Sequence, residues 1–338
     1  MDRKSAQVKR PSSMDVARLA GVSRATVSAY INGTRYVSPE LGEKIELAIT
    51  ELNYTPDPLA RALKMKDAKT IGLVIPVMSR FYTPIMQAVN EIAHQNRYGF
   101  LLCSSEEDPA REREVLEVFQ AKRISGILLA PCSSDNLDYL STIRSRGTPI
   151  VQINRKIDGL DTDSIISDNF KAAHTATRHL IERGRRHIVL LGFDHRTLSA
   201  NQKKAGFEEA LREAGIGEYT IIPVRDHDRM DIARAFRDFL DSGRPIDGLI
   251  CSTQGKTSVA LDILKERGVS IPDSVSVIGF DDTPWSALLS PPLTVVSENT
   301  HLMGETAATL LLERIEGEKT GPSESIILED DFIIRSST

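Results

Sequence analysis

The sequence predicts an α/β protein: an all-α helix-turn-helix headpiece followed by a body of two similar α/β subdomains. Three observations predict it. Residues 13–53 hold apolar side chains at three- and four-residue spacing between good helix caps, with no strand-like run. From Thr70 onward, short apolar runs alternate with amphipathic helical stretches, the pattern of parallel strands covered on both faces. Within that body the order recurs. Ile124-Ser125-Gly126-Ile127-Leu128 echoes Ile246-Asp247-Gly248-Leu249-Ile250, and Thr70-Ile71-Gly72-Leu73-Val74 echoes His187-Ile188-Val189-Leu190-Leu191.

Residues 13–32 read as two short helices with a tight turn between them. Val16, Leu19 and Ala20 form one apolar face of the first. Gly21-Val22-Ser23 makes the turn, and Ser23 caps a second helix over 24–31 that buries Val27 and Ile31. Asn32-Gly33 closes it with residues that tolerate positive φ. This is the pattern of a helix-turn-helix unit, whose second helix lies in a DNA major groove; an ordinary helical hairpin with a solvated face is the alternative. Its remaining residues suit that role: Arg24 can pair bidentately with guanine, and an exposed Ala25 or Ala29 can touch a thymine methyl. Ser13, Ser23, Thr26 and Asn32 are short donors suited to phosphate oxygens.

A third helix follows. Ser38 caps it, Pro39 takes its first position, Leu41, Ile45, Ala48 and Leu52 make one stripe, and Asn53 ends it. Asp57-Pro58 is again a cap and a first helical residue, but only two turns follow. A helix that short is marginal alone and can order on meeting DNA. A plain linker carrying Leu59 and Leu63 by coincidence fits the periodicity equally well.

Residues 13–64 resemble the DNA-binding headpiece of the lactose/galactose-repressor (LacI/GalR) family of bacterial transcription regulators, on the words DVARLAGVS, TVS, ING, LNYTP and LARALK. The resemblance runs from Ser13 to about Ser336. It implies a homodimer reading a near-palindromic double-stranded operator. It places Arg24, Ala25 and Ala29 at base-reading positions, Ala29 where many members carry Arg or another polar group. It also places Ala60, Leu63 and Lys64 in a hinge helix, with Leu63 as the wedge in the minor groove. For the body it implies a periplasmic-binding-protein-like type I fold in which the chain crosses between subdomains near 167–171, 296–299 and 326–329. The expected domains are therefore 12–57 (headpiece), 58–66 (hinge) and 70–338 (effector binding and dimerisation). The last divides into 70–167 plus 299–326, and 168–297 plus 327–338. The chain ends at IIRSST with no further heptad segment, so a dimer rather than a tethered tetramer is expected.

Composition agrees. The net charge of −5 hides an asymmetry: eleven Lys and Arg against seven Asp and Glu in residues 1–66, and 31 against 40 in the remainder. A basic end on an acidic body suits phosphate contact at one end. Cys103, Cys132 and Cys251 are too widely spaced for a metal site or disulfide framework and suit reduced thiols in a cytoplasm. The opening MDRKSAQVKR has no signal-peptide core, and no apolar run reaches membrane-spanning length, so no membrane partner is expected.

The strand-like runs are IGLVIP (71–76), GFLLC (99–103), GILLA (126–130), PIVQI (149–153), HIVLLG (187–192), GLICS (248–252) and VSVIGFD (275–281). Ligands of open parallel sheets bind beyond the carboxyl ends of strands. Strand ends combined with the family pattern give the effector candidates: Phe81 and Tyr82 as rings to stack on a sugar, Asn154, Arg155, Lys203, His227, Thr253, Asp281 and Glu298. Lys203 stands where the family usually has Arg, Thr253-Gln254 where it has Asn-Asp, and Glu298 where a relative has Gln. Asp281 matches the ligand-binding Asp, and a carboxylate accepts two hydroxyls well. A small polar, carbohydrate-like effector, neutral or anionic, is expected.

Enzyme readings fail on their residues. Gln254-Gly255-Lys256-Thr257 lacks the leading Gly of a phosphate loop, since Ile250 stands there. Gly21-Val22-Ser23-Arg24-Ala25 resembles a nucleophile elbow only with Ala for the last Gly. Asp281 and Asp282 are adjacent and in a strand would point to opposite faces, poor partners for acid/base work. No catalytic residue, cofactor or metal is expected. The reading is an effector-responsive repressor. The alternatives are co-repression, a vestigial cleft with control by a partner protein, and, more distantly, a sugar-binding receptor.

Overall fold

The computed structural model describes residues 11–32, 35–54, 69–192, 198–224 and 229–338. The hinge candidates Ala60, Leu63 and Lys64, the effector candidate His227 and the side chain of Asn32 lie outside the described residues. The chain forms two compact units, residues 1–68 and 69–338.

The first unit contains α1 (Ser13–Ala20), α2 (Arg24–Asn32) and α3 (Pro39–Glu51). Its core is Val16, Ala17, Ala20, Val27, Ile45 and Ala48, with Tyr30, Ile31 and Leu52 packed against it. Two expected core residues stand outside: Leu19 is 46 % and Leu41 36 % exposed. On helices this short the buried stripe is narrow, and a position one step around from it faces water.

The second unit holds two six-stranded sheets. In chain order its elements are β1 (Thr70–Ile75), α4 (Tyr82–Gln95), β2 (Gly99–Ser104), α5 (Pro109–Ala121), β3 (Gly126–Leu129), α6 (Leu137–Ser145), β4 (Ile150–Ile153) and β5 (Asp163–Ser167). Then come α7 (Asn169–Glu182), β6 (Ile188–Leu191), α8 (Leu198–Glu213), β7 (Thr220–Ile222), α9 (Arg229–Asp241), β8 (Gly248–Cys251), α10 (Gln254–Glu266) and β9 (Ser276–Phe280). The chain closes with β10 (Thr294–Ser297), α11 (Thr300–Glu316), β11 (Ser325–Leu328) and β12 (Asp331–Ile333).

The sheet orders are β2-β1-β3-β4-β5-β11 and β7-β6-β8-β9-β10-β12. The winding is the same in both, as the sequence echo implies. The first sheet is parallel throughout, whereas β12 runs antiparallel to β10 in the second. Each sheet is covered by apolar residues on both faces.

The described chain passes between the sheets three times. Two crossings end in a helix cap: the side chain of Asp168 accepts from Lys171 N, and that of Asn299 from Leu302 N. The third falls later than the 326 boundary expected from sequence. Ile327 pairs with Ile166 and Leu328 with Ser167 in the first sheet, so only Glu329 and Asp330 separate it from β12.

α7 and α8 touch closely because Gly206 is there. A Cβ at Gly206 would lie 2.1 Å from the carbonyl oxygen of Phe170. This close packing fixes the depth of α8 and of Lys203, which lies one turn before Gly206 on the same helix.

Candidate DNA-reading helix and effector cleft

In the headpiece, Ser12 caps α1. Its backbone N–H donates to Asp15 Oδ2 at 2.9 Å, a capping box. Gly21 at φ +66° makes the left-handed turn that any side chain would strain. Ser23 caps α2 as expected: its Oγ accepts from Thr26 N at 3.1 Å and lies 2.8 Å from the Thr26 hydroxyl. Ser23, Arg24 and Ala25 are exposed at the N-terminal end of α2, the end that meets base edges when such a helix enters a groove. Arg24 Nε donates to Ser13 Oγ at 3.2 Å, which ties a base-reading candidate to a phosphate-contact candidate. Ala29 departs from expectation. It is 5 % exposed, so its methyl does not stand on the open face. A single carbon on a helix is readily covered by longer neighbours.

In the second unit, residues at and beyond the strand ends form three polar groups, one of which, Ser167–Glu298–Lys203, joins the two sheets. Tyr82 opens α4 and is 3 % exposed, so its ring offers no stacking face of the kind the sequence suggested. Its hydroxyl accepts from Asn154 Nδ2 at 3.0 Å, and burial pushes its pKa up to about 12. Phe81, half-buried, meets Tyr82 edge-on with ring centroids 5.0 Å apart. Asn154 sits at φ +61° just past β4, held by its N–H to Ile165 O at 2.8 Å. Arg155 makes a two-pronged ion pair with Glu107 at 2.8 and 2.9 Å, both side chains largely shielded. Sequence reasoning missed Glu107, although the strand-end rule applied to GFLLC points at it.

The second subdomain supplies Lys203, 7 % exposed. Its ammonium donates to Glu298 Oε1 at 3.2 Å and lies 4.2 Å from the centre of the Phe280 ring. Glu298, just past β10, is 8 % exposed and also accepts from Ser167 Oγ at 3.1 Å. Ser167 ends β5, so one carboxylate links the first and second crossings to α8. Burial alone lowers the pKa of Lys203. The negative charges of Glu298, Asp281 and Asp330, with the hydrogen bond to Glu298, outweigh it and hold the pKa above the ordinary lysine value. Asp330, at the third crossing, was not foreseen. Both its carboxylate oxygens are buried, and the Ser167 hydroxyl and the Lys203 ammonium act on them. Burial, then repulsion from Glu298, pushes its pKa up to about 7.

Asp281 ends β9 at φ +70°. Its Oδ2 faces the N–H of Gln254 at 3.4 Å, at the positive end of α10. The Thr253 hydroxyl caps that helix by accepting from Lys256 N, so it works on the backbone. The neighbouring Asp282 turns away to a two-pronged pair with Arg335 at 2.8 and 3.0 Å. Among the described residues no group of His, Cys, Asp and Glu could hold a metal ion, and no helix is long and apolar enough to cross a membrane.

Comparison with known proteins places this arrangement. Residues 14–57 match the family described as "Bacterial regulatory proteins, lacI family", and residues 177–338 match "Periplasmic binding protein-like domain". The chain is 32 % identical over 332 residues to the HTH-type transcriptional repressor PurR of Mannheimia succiniciproducens, covering 96 % of this chain and 97 % of that one. It is 30 % identical over 334 residues to the HTH-type transcriptional regulator KdgR of Bacillus subtilis, covering 96 % of each. The lac repressor dimer bound to operator and the anti-inducer ONPF superposes with a TM-score of 0.86 at 24 % identity, over 97 % of this chain and 99 % of that one. The complex of the transcriptional regulator CelR with cellobiose gives 0.72 at 28 % identity, over 97 % and 100 %. The chain therefore belongs to the LacI family of bacterial regulatory proteins and is a DNA-binding transcriptional regulator.

Proposed function

We propose that the chain is a cytoplasmic homodimeric repressor, without catalytic activity, whose affinity for a near-palindromic operator is set by a small carbohydrate-like ligand. One observation carries the ligand reading. Residues beyond the strand ends of both sheets converge on the crossings through the Ser167–Glu298–Lys203 chain, so a molecule between the subdomains touches the links that set their relation. The CelR–cellobiose complex, similar over nearly the whole chain, supports it.

In this reading residues 12–57 read DNA, 58–66 form the hinge, and 70–338 bind the effector and dimerise. Arg24 and Ala25 contact bases, with Ala29 at most in a minor role. Ser13, Ser23, Thr26 and Asn32 hold phosphates, and Leu63 wedges the minor groove between Ala60 and Lys64. Asp281, Asn154 and Phe81 face the effector.

Two recognition helices from a dimer would lie about one helical turn of DNA apart. Coupling between effector and operator is reciprocal: whatever factor the effector takes from operator affinity, the operator takes from effector affinity. The test is to measure effector affinity with and without operator DNA. The reading expects the two values to differ by the factor seen in operator binding. Equal values overturn it.

A further inference from the structure

The charge of the effector follows from how the cleft's own charges are spent. Sequence offers Arg155 and Lys203 as cations able to clamp an acidic ligand. In the structure each is already committed to a carboxylate of the chain. Arg155 is held by both oxygens of Glu107 at 2.8 and 2.9 Å, and Lys203 by Glu298 at 3.2 Å. The other side of the Lys203 ammonium is covered by the Phe280 ring, 4.2 Å from its centre. Two more acids, Asp281 and Asp330, act on the same ammonium.

We propose that this cleft discriminates against anionic effectors and accepts uncharged or amino-bearing polyols, because its acidic side chains already neutralise its cations. The proposal rests on the reading of this cleft as the effector site.

A carboxylate or phosphate reaching for Lys203 must push Glu298 aside and leave its buried charge with only the neutral Ser167 hydroxyl, the costly outcome for an ion pair this far from water. A hydroxyl or an ammonium group does the opposite. It brings donors to carboxylate oxygens that still have lone pairs to fill. The remaining cations do not reverse the balance. Lys256 is 1 % exposed and already engaged by the protein. Arg80 is exposed, where water and salt screen it. Specificity here is a repulsive element as much as an attractive one.

The experiment is calorimetric titration of the full chain with matched sets: hexoses, pentoses and disaccharides, and their amino, uronic-acid and phosphorylated forms. For any parent sugar that binds, the acidic and phosphorylated forms are expected to bind about tenfold or more weakly, and the amino form at least as well. Glu298→Gln, which keeps the shape and loses the charge, is expected to narrow that gap. Asp330→Asn is a second variant that tests the same point without breaking an ion pair. An acidic form binding wild type more tightly than its parent, or a gap unchanged in both variants, overturns the inference and leaves the cleft reading intact. A panel with no binder, from protein that still binds DNA, overturns the cleft reading and the inference with it.

Discussion

Lys203 and Glu298 are hydrogen-bonded at 3.2 Å with side chains 9 % and 3 % exposed, and each belongs to a different part of the frame. Lys203 rises from α8 in the second subdomain. Glu298 lies on the crossing between the sheets and also receives the Ser167 hydroxyl from the end of β5. Buried pairs of this kind contribute little beyond what apolar replacements would, but removing one partner strands the other's charge. Lys203→Met is therefore expected to destabilise the fold by about 3 kcal/mol, and Lys203→Met with Glu298→Leu by clearly less. Thermal or urea denaturation of both variants checks this. Equal losses would show that packing, not charge, sets the cost.

Asp330 makes the stability depend on pH in a particular direction. Its pKa is raised in the fold to about 7 from an ordinary value of 3.8. The folded state therefore holds its proton more tightly than the unfolded chain does. Its penalty is absent below the unfolded value, grows as pH rises between about 4 and 7, and is complete above 7. Asp330→Asn is expected to stabilise the protein at pH 8 and to change little at pH 4. The measurement is the difference in melting temperature between variant and wild type across that range. A difference that stays flat with pH would show that Asp330 does not titrate there.

Much of this architecture was legible because parallel strands buried on both faces are continuous apolar runs, and all seven such runs contain a strand. Of the five strands that escaped notice, β7 and β10 are short apolar-rich pieces, and the other three have different chemistry. β5, Asp-Ser-Ile-Ile-Ser, is fully buried yet mostly polar, and Asp163 at its head is satisfied by Arg314 through two bonds of 2.8 Å. β11 and β12 are short and half exposed, and nothing local marks them as strands. The strand-end rule singled out Asn154, Arg155 and Asp281, which lie just past β4 and β9. It did not show that Arg155 and Lys203 are neutralised, because their partners Glu107 and Glu298 stand 48 and 95 residues away in the chain. Pairing across that distance is a product of the fold, not of spacing.

Gly206→Ala tests the helix contact that sets the depth of Lys203. The added Cβ would sit 2.1 Å from the Phe170 carbonyl oxygen, which is backbone and has little room to move. Overpacking of this sort costs about 1–3 kcal/mol. The displaced helix also carries Lys203 away from Glu298, so effector binding is expected to weaken along with stability. Gly255→Ala, where nothing lies within 4 Å of the new carbon, serves as the control. Equal behaviour of the two variants would remove the close approach as the cause.

Arg24 and Ser13 separate sequence reading from mere attachment to DNA. The guanidinium is exposed and, among the described residues, braced by the Ser13 hydroxyl at 3.2 Å, so it has range to turn toward a base edge. A bidentate contact with guanine is worth about 1–3 kcal/mol of discrimination. Arg24→Ala is expected to lower operator affinity by about ten- to a hundredfold, with a much smaller loss on random-sequence DNA. A phosphate contact behaves differently: it lowers affinity for every sequence alike and flattens the salt dependence by about one ion. Ser13→Ala should show that second pattern if its hydroxyl holds a phosphate, and a weak form of the first if it only steers Arg24. Binding titrations on operator and random DNA at several salt concentrations distinguish the two. An Arg24→Ala loss that is uniform across sequences would move Arg24 from base reading to backbone contact.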